Sequence, residues 1–287
     1  MTGLRDLLAV PPGGEFRLAG VDPRATPGLP SKKATGGDPK AWSAEAVTAI
    51  GQDLAAYQEK LFASAKLKSS DRRILLVLQA MDCGGKDGTV RNVIRGLNPA
   101  GIKAVGFGPP DEEERQHDFL WRIRRQLPEA GVLGVFDRSH YEDVLIHRVR
   151  HLSAPEVIEE RYGRIVEFED ELSAGGTTVV KVMLHISPGE QRERLAARLA
   201  DPAKRWKYSP GDVDERELWP AYMEAYEIAI QRTTSDAAPW FVVPADHKWY
   251  ARLAVQHLLI EALAGLGQGW PVPGYDVATE KARLAAS

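Results

Sequence analysis

The chain has 287 residues, of which 44% are hydrophobic and 27% charged, and its formal net charge is −3. This length and composition predict one main globular domain. The net charge excludes an overall basic field that attracts nucleic acid. No stretch of the sequence approaches the run of about 18 apolar residues that a membrane span requires. Cys83 is the only cysteine and cannot form an internal disulfide, and the N-terminus does not have the pattern of a signal peptide, so we expect a cytoplasmic protein with no membrane or nucleic-acid partner.

The first part of the chain predicts an arm followed by a helix. Residues 1–40 form a Pro/Gly-rich N-terminal arm, for which we expect little regular structure. Apolar residues then recur at helical spacing through 41–67, with Val47, Ile50 and Leu54 among them, and predict an amphipathic helix that precedes the core.

Five strand–helix pairs follow this helix. Short apolar runs predict strands at 74–80, 102–108, 131–136, 177–186 and 240–245. Helical patterns follow them at 88–97, 111–127, 138–150, 188–201 and 247–266. Strands that are apolar on both faces are typical of a parallel sheet covered by helices. The pattern therefore predicts an α/β protein, a three-layer α/β/α sandwich around a five-stranded parallel sheet, with ligands at the carboxyl ends of the strands.

The turn after the first predicted strand is a candidate phosphate-binding loop. Its sequence, AMDCGGKDGT (80–89), departs from the usual G-x-x-x-x-G-K-[ST] pattern at Ala80, which replaces a glycine, and at Asp87, which replaces a hydroxyl residue. Lys86 would reach phosphate groups as a mobile cation beside a helix N-terminus. Backbone N–H groups would approach phosphate oxygens at the three glycines, Gly84, Gly85 and Gly88. A simple strand-to-helix turn with a solvated lysine is the alternative interpretation.

A second motif ends the strand predicted at 131–136. The segment GVLGVFDRSHYED (131–143) places Asp137 at the end of an apolar strand, which is a Walker-B-like arrangement for holding magnesium. Because the loop lacks a hydroxyl ligand, Asp82 and Asp137 are the natural carboxylate pair for the metal. We interpret Asp87 as a cap of the helix that begins there, and a helix cap is also the alternative interpretation of Asp137.

A basic segment between two predicted helices is a candidate lid over the site. The basic segment spans 194–212, and the lid itself spans about 198–215. The segment is interrupted by prolines and glycine and carries aromatic residues, Trp206 and Tyr208, between its cations. Such lids clamp phosphoryl groups and exclude water in P-loop kinases. An ordinary solvated face is the alternative. The cations of this region are Arg194, Arg198, Lys204, Arg205 and Lys207.

Four segments in this order resemble the second family of polyphosphate kinases. They are MDCGGKDGT, FDRSHYEDV, DPAKRWKYSPGD and APWFVVPADHKWYAR. The resemblance implies a thymidylate-kinase-like P-loop kinase domain over residues 41–266, with a helical lid, and it leaves the arm and a C-terminal tail at 267–287 outside. It also implies reversible phosphoryl transfer from inorganic polyphosphate to ADP or AMP, with magnesium or alternatively manganese, by a homo-oligomer of two or four subunits.

The same resemblance assigns roles by position. It implies that Lys86 binds phosphates, that Asp82 and Asp137 hold the metal or orient the acceptor, and that Arg138 neutralises the transferring group. The run RSHYEDV, with Glu142, resembles the subgroup that accepts both mono- and diphosphates. The other phosphate-binding positions that it implies are Gly84, Gly85, Asp87, Gly88, Thr89, Arg198, Lys204 and Lys207.

Two other functions remain open from the sequence. One is an ATP-dependent nucleotide or small-metabolite kinase with the same fold and loop. The other is a nucleotide-binding regulatory module without turnover. Such a module does not require lid cations that clamp a phosphoryl group, nor the pairing of Lys86 with Asp137.

Overall fold

A computed structural model describes residues 3–287 and contains a five-stranded sheet in which all neighbouring strands run parallel. Its strands are β1 (Arg73–Gln79), β2 (Ile102–Gly106), β3 (Leu133–Asp137), β4 (Thr177–His185) and β5 (Trp240–Pro244). The order across the sheet is β2-β3-β1-β4-β5. The predicted five-stranded parallel sheet is therefore confirmed.

Helices cover both faces of this sheet. They are α1 (Leu4–Leu8), α2 (Pro39–Lys66), α3 (Lys86–Val93), α4 (Trp121–Arg124), α5 (Ile146–Val149), α6 (Pro155–Ala174), α7 (Pro188–Ala200), α8 (Gly211–Glu217), α9 (Trp219–Thr233), α10 (Lys248–Gly265) and α11 (Val277–Ala285). Between residues 3 and 287, none of them has the length and apolar character to cross a membrane.

The alternation of β1 side chains creates two hydrophobic cores. Leu75 and Val77 belong to the core that contains residues of α6 and α9. Leu76 and Leu78 point to the opposite face and belong to the core that contains residues of α2, α3 and α10. Successive strand residues face opposite sides of a sheet, so an apolar strand needs helices on both. The three predicted layers follow from this.

Two predicted helices are mostly absent, and those predictions are wrong. Residues 111–127 form only a short 3₁₀ turn and α4, because the side chain of Asp111 accepts from the backbone N–H of Glu114 (2.8 Å) and Asp118 accepts from that of Leu120 (3.0 Å). Short acidic side chains that bond nearby backbone in this way compete with continuous helix.

The predicted helix at 138–150 is also broken. It consists of a 3₁₀ turn at His140–Asp143 and then α5, because Ser139 accepts from the backbone N–H of Tyr141 and Leu145 lies outside the helical region with ψ −83°. Because the helix is interrupted, side chains within 138–150 point in several directions.

The N-terminal arm lies against the edge strand β5. Ala9 pairs antiparallel with Phe241, and the N–H of Val10 donates to the carbonyl of Trp240 (2.8 Å). Leu4 and Leu8 of α1 are buried in the core. The arm therefore covers a strand edge that would otherwise present unpaired backbone groups.

A buried ion pair connects the sheet to three neighbouring elements. Lys181 of β4 is fully buried, and its Nζ donates to Oε2 of Glu169 on α6 (2.5 Å), to the Tyr141 hydroxyl (3.1 Å) and to the carbonyl of Thr233 on α9 (2.7 Å). Burial by itself would raise the pKa of Glu169, but Lys181 and His140 together lower it. The carboxylate is therefore ionised and held by the cation beside it.

Replacement of Lys181 by Met tests this connection. The variant leaves Glu169 buried without its cation, so we expect the free energy of unfolding to fall by about 3–5 kcal/mol, as for other broken buried pairs. Urea denaturation measures this loss. The control is the double variant Lys181→Met, Glu169→Leu, which leaves no lone charge and should recover part of the loss. A single variant as stable as the wild type would contradict the role of the ion pair.

Candidate active site

The two motifs predicted to bind phosphate and metal meet at one edge of the sheet. In the pairing of β1 with β3, Leu78 lies opposite Asp137, so both strands end at the same height. The backbone N–H of Arg138 donates to the carbonyl of Leu78 (3.0 Å) and extends the pairing by one residue. The carboxyl ends of these neighbouring strands therefore bring the glycine-rich loop beside Asp137 and Arg138, as the sequence predicts.

The loop after β1 has the backbone conformation of an anion-binding turn. Gly85 is left-handed (φ +105°) and immediately precedes α3, whose N-terminal N–H groups carry partial positive charge. A Cβ placed on Gly84 would lie 2.4 Å from the Cβ of Ala80, so glycine at 84 is what makes room for the unusual Ala80. Lys86 is buried in the first turn, and its Nζ donates to the Ala80 carbonyl (3.0 Å).

Helix α7 holds the loop from outside the sheet. Arg194 is buried and donates to the carbonyls of Cys83 (3.0 Å) and Ala245 (2.6 Å), and Gln191 donates to the carbonyl of Asp82 (2.9 Å). Arg194 therefore supports the loop and does not act as a lid cation, which differs from the prediction, and the role of Gln191 was not predicted. Two polar residues three apart on the inward face of α7 are the signal that would have identified this support.

Acidic and basic groups alternate around the loop. Nη2 of Arg138 lies 3.2 Å from Oδ1 of Asp82. Burial raises the pKa of Asp137 and the adjacent Asp87 carboxyl raises it further, while Lys86 and Arg138 oppose this rise. Arg138 also has a left-handed backbone (φ +65°), which is unfavourable for a residue with a side chain, and such strained residues cluster at active sites.

The carboxylates at this edge fit a hard divalent cation. Burial is the main reason that the pKa of Asp137 is raised, and the Asp87 carboxyl adds to the rise; a cation between the two carboxylates would relieve this second effect. Across residues 3–287, no group of three His, Cys, Asp or Glu side chains is arranged to hold a metal by itself. A site of this kind suits an ion that takes one or two protein carboxylates and completes its shell with phosphate and water. Asp82 faces Arg138, so its predicted pairing with Asp137 on a metal stays a prediction.

The structure separates the predicted lid cations. The ammonium group of Lys207 binds the Asp87 carboxylate across the site and lowers the pKa of Asp87. Arg198 supports this arrangement by donating to the Lys207 carbonyl (3.2 Å). Lys204 instead pairs with Asp201 inside the lid turn (2.7 Å) and is largely exposed. Of the cations at 198–215 within the described residues 3–287, Lys207 is therefore the one whose side chain bonds to the loop.

The contact with Lys207 corrects the interpretation of Asp87. The N-cap of α3 is Gly85, without a side-chain bond, so the expectation that Asp87 caps the helix is wrong. The carboxylate points to the lid because Lys207 offers it a charged partner.

Glu142 lies close to the same charged groups. Burial raises the pKa of its carboxyl, whereas Arg138 and Lys86 oppose the rise. With the Gln79 amide oriented to satisfy its neighbours, the amide nitrogen lies 2.9 Å from Oε1 of Glu142. The structure brings Glu142 to the candidate site, and its role in nucleotide selectivity stays a prediction.

Comparison with known proteins identifies relatives over nearly the whole chain. The family described as Polyphosphate kinase 2 (PPK2) matches residues 45–267. An AMP/ADP-polyphosphate phosphotransferase of Meiothermus ruber is 45% identical over 272 residues, which cover 95% of this chain and 97% of the relative. An ADP-polyphosphate phosphotransferase of Rhodopseudomonas palustris is 42% identical over 230 residues, which cover 75% of this chain and 76% of the relative. The crystal structure of Polyphosphate Kinase 2 from Arthrobacter aurescens TC1 has a TM-score of 0.93 and 50% identity, across 99% of this chain and 97% of that one.

Separate replacement of the two lid lysines by Ala tests which of them holds the lid. A half-exposed ion pair contributes about 0.5–1 kcal/mol, so Lys207→Ala should speed amide hydrogen exchange in residues 199–210 by about two- to fivefold. Lys204→Ala is the matched control from the same segment and should leave exchange outside its own turn unchanged. Equal effects of the two variants would contradict the assignment of Lys207 as the link.

Proposed function

This chain belongs to the Polyphosphate kinase 2 family, and from that premise we propose that it transfers phosphoryl groups reversibly from inorganic polyphosphate to nucleoside di- and monophosphates. The observation that carries the proposal is the meeting of Lys86, Asp137 and Arg138 at one edge of the sheet. Both substrates are polyanions, so their approach requires cations that surround the transferring group. The names of the Meiothermus ruber and Rhodopseudomonas palustris relatives support the same substrates.

The chemistry needs alignment and charge more than covalent help. A phosphate oxygen of the acceptor forms a new P–O bond with the terminal phosphorus of polyphosphate, while the bond from that phosphorus to the next bridging oxygen breaks. The shortened polyphosphate leaves with the bonding electron pair. Lys86 and the N-terminus of α3 hold the phosphoryl group in line, and Arg138 stabilises the charge on its oxygens.

Enzymes of this family carry out phosphoryl transfer with a divalent metal, and we propose magnesium here, with manganese as an alternative. Asp137 is the primary candidate ligand, with Asp82 or Asp87 as the second carboxylate. Bound magnesium would supply positive charge that offsets the negative charge of the phosphate oxygens. The carboxylates themselves keep their orientation through Arg138 and Lys207.

The lid completes the site on its solvent side. Lys207 reaches the Asp87 carboxylate of the loop, and Arg198 donates to the carbonyl of Lys207 and so fixes the turn that carries it. A closed lid excludes water, which prevents hydrolysis from competing with transfer. The remaining predicted positions, Gly84, Gly85, Gly88 and Thr89, lie within or next to the first turn of α3. The backbone N–H groups of Gly84 and Thr89 donate to the carbonyls of Met81 (2.8 Å) and Gly85 (3.0 Å), so these two positions shape the loop through its backbone.

We propose that the chain accepts both ADP and AMP. The Meiothermus ruber relative is named for both acceptors, whereas the Rhodopseudomonas palustris relative is named for ADP alone. Glu142 beside Arg138 is the candidate determinant of this choice. An ATP-dependent kinase, the alternative from the sequence, is not favoured by membership of this family. Cytoplasmic location and assembly into dimers or tetramers stay predictions.

The proposed function is tested by luminescent detection of ATP after the protein meets magnesium, long-chain polyphosphate and ADP, with AMP in a parallel reaction. We expect ATP from ADP, and conversion of AMP to ADP or ATP. The control is Lys86→Ala, which removes a buried phosphate ligand and should slow transfer at least about 100-fold while circular dichroism shows an intact fold. No product from either acceptor would refute the proposal, and normal turnover by Lys86→Ala would refute the role of the loop.

The metal assignment is tested by Asp137→Asn, which keeps the shape of the side chain and removes its charge. We expect the magnesium concentration for half-maximal rate to rise about tenfold, since loss of one carboxylate ligand weakens a site of so few protein ligands. Titration of activity with magnesium measures this shift. A titration curve identical to that of the wild type would contradict the assignment of Asp137.

A further inference from the structure

Asp246, which lies just after β5, is a buried carboxylate held by hydrogen bonds and not by a cation. It is 7% exposed, and within residues 3–287 its carboxylate forms no ion pair. Oδ1 accepts from the backbone N–H of Ser187 (2.8 Å), and Oδ2 accepts from the hydroxyl of the same residue (2.9 Å). A buried carboxylate is costly unless its oxygens are bonded, so these two bonds are the contacts that keep Asp246 in place.

Ser187 is the residue at which α7 begins. It is the N-cap of this helix, and its hydroxyl oxygen accepts from the backbone N–H of Glu190 (3.1 Å). A hydroxyl that donates to Asp246 and accepts from Glu190 has a fixed orientation. Asp246 therefore fixes the first turn of α7. The next residue of that turn, Gln191, donates to the carbonyl of Asp82 in the loop after β1 (2.9 Å).

The backbone of Asp246 is bound on two sides. Its carbonyl accepts from Nη2 of Arg194 on α7 (3.1 Å), and Nη1 of Arg194 donates to the carbonyl of Cys83 in the loop (3.0 Å). Its N–H donates to the carbonyl of Pro23 in the N-terminal arm (3.1 Å). Asp246 therefore connects the arm to α7 and, through Arg194, to the loop.

The loop needs support from outside because part of its backbone is strained. Cys83 is left-handed (φ +61°), although it carries a side chain. Such a conformation persists only where surrounding contacts hold it. The contacts from α7 end at the carbonyls of Asp82 and Cys83, which are the strained residue and the one before it.

We propose that Asp246 is a positioning residue for the phosphate-binding loop, which joins the N-terminal arm to α7 and so holds the backbone at 82–83 in the conformation that receives phosphate. The inference rests on the proposed function, because it concerns the loop at which transfer takes place. Asp246 acts through Ser187 and Arg194, and its own carboxylate is occupied by Ser187.

Two substitutions at Asp246 distinguish its position from its charge. Asp246→Ala removes both bonds to Ser187. Asp246→Asn removes the charge but keeps an oxygen that can accept from the Ser187 N–H and an amide group that can donate to the hydroxyl. Ser187→Ala, which breaks the hydroxyl bond alone, is a milder variant that decides the matter if Asp246→Ala does not fold.

The matched control is Thr234→Val, which releases the same arm at the first residue of β5. The buried Thr234 hydroxyl donates to the carbonyl of Val10 in the arm (2.9 Å) and accepts from the N–H of Trp240 (3.2 Å). The variant removes two buried bonds, as Asp246→Ala does, and leaves Asp246, α7 and the loop unchanged. We expect it to lower the unfolding temperature and to keep the wild-type kcat.

Steady-state kinetics with ADP and polyphosphate, and hydrogen exchange of the amides at 80–89, measure the effect below the unfolding temperature of every variant. In Asp246→Ala we expect kcat to fall about 10- to 100-fold, because a misplacement of about 1 Å in an aligned site costs about 100-fold. Loop exchange should become about tenfold faster, since the loop opens more often. Ser187→Ala should change both quantities in the same direction by about threefold, and Asp246→Asn should keep kcat within about threefold of the wild type, because hydrogen bonds remain.

Three results would overturn the inference. Wild-type kcat and loop exchange in Asp246→Ala, or in Ser187→Ala where the former does not fold, would show that the loop does not depend on Asp246. Equal losses in Asp246→Asn and Asp246→Ala would show that the charge matters and the position does not. An equal fall of kcat in Thr234→Val would reduce the effect to a general loss of stability.

The exchange measurement also separates this inference from the proposed function. Wild-type protein without any transfer from polyphosphate would refute the proposed function. Amide exchange of the loop requires no turnover, so the comparison of Asp246→Ala with Thr234→Val would still decide whether Asp246 holds the loop.

Discussion

The register of β1 against β3 is the constraint on which the site depends. Leu78 lies opposite Asp137, and the next residue, Arg138, continues the pairing before its backbone turns into the left-handed region. Because side chains alternate across a strand, a slip of one residue would turn Asp137 to the other face of the sheet. The hydrophobic cores on both faces prevent such a slip, so burial of apolar strand residues fixes the distance between Asp137 and the candidate phosphate-binding loop.

Buried polar contacts hold the backbone segments that follow these strands in fixed positions. Arg194 connects α7 to the backbone of the loop and of the segment after β5. On the other face, Lys181 and Glu169 hold Tyr141, whose neighbours in sequence include Arg138 and Glu142. Buried charges are costly unless they are paired and hydrogen-bonded, and both groups meet that condition. Both groups act by position, because each holds backbone that carries a residue of the candidate site.

Much of this arrangement follows from the sequence, and the exceptions have physical causes. Apolar runs predict all five strands. Strands that are covered by helices on both faces are continuously apolar, and such short runs are easy to identify in the sequence. The broken helices at 111–127 and 138–150 were not predicted, because their interruptions depend on side chain–backbone bonds that helical periodicity does not report. Lys204 and Lys207 are both lysines of the same segment, so the sequence does not distinguish them. The geometry of the 3₁₀ turn at Arg205–Lys207 decides that Lys207 reaches Asp87 and that Lys204 pairs with Asp201.

The central claim, that polyphosphate is the donor, is tested most directly by ³¹P nuclear magnetic resonance of a reaction with ADP, magnesium and long-chain polyphosphate. We expect the γ-phosphate signal of ATP to grow in step with the loss of internal polyphosphate signal, without AMP at early times. ATP that appears together with an equal amount of AMP, while the polyphosphate signal stays constant, would show that ADP itself is the donor and would contradict the account.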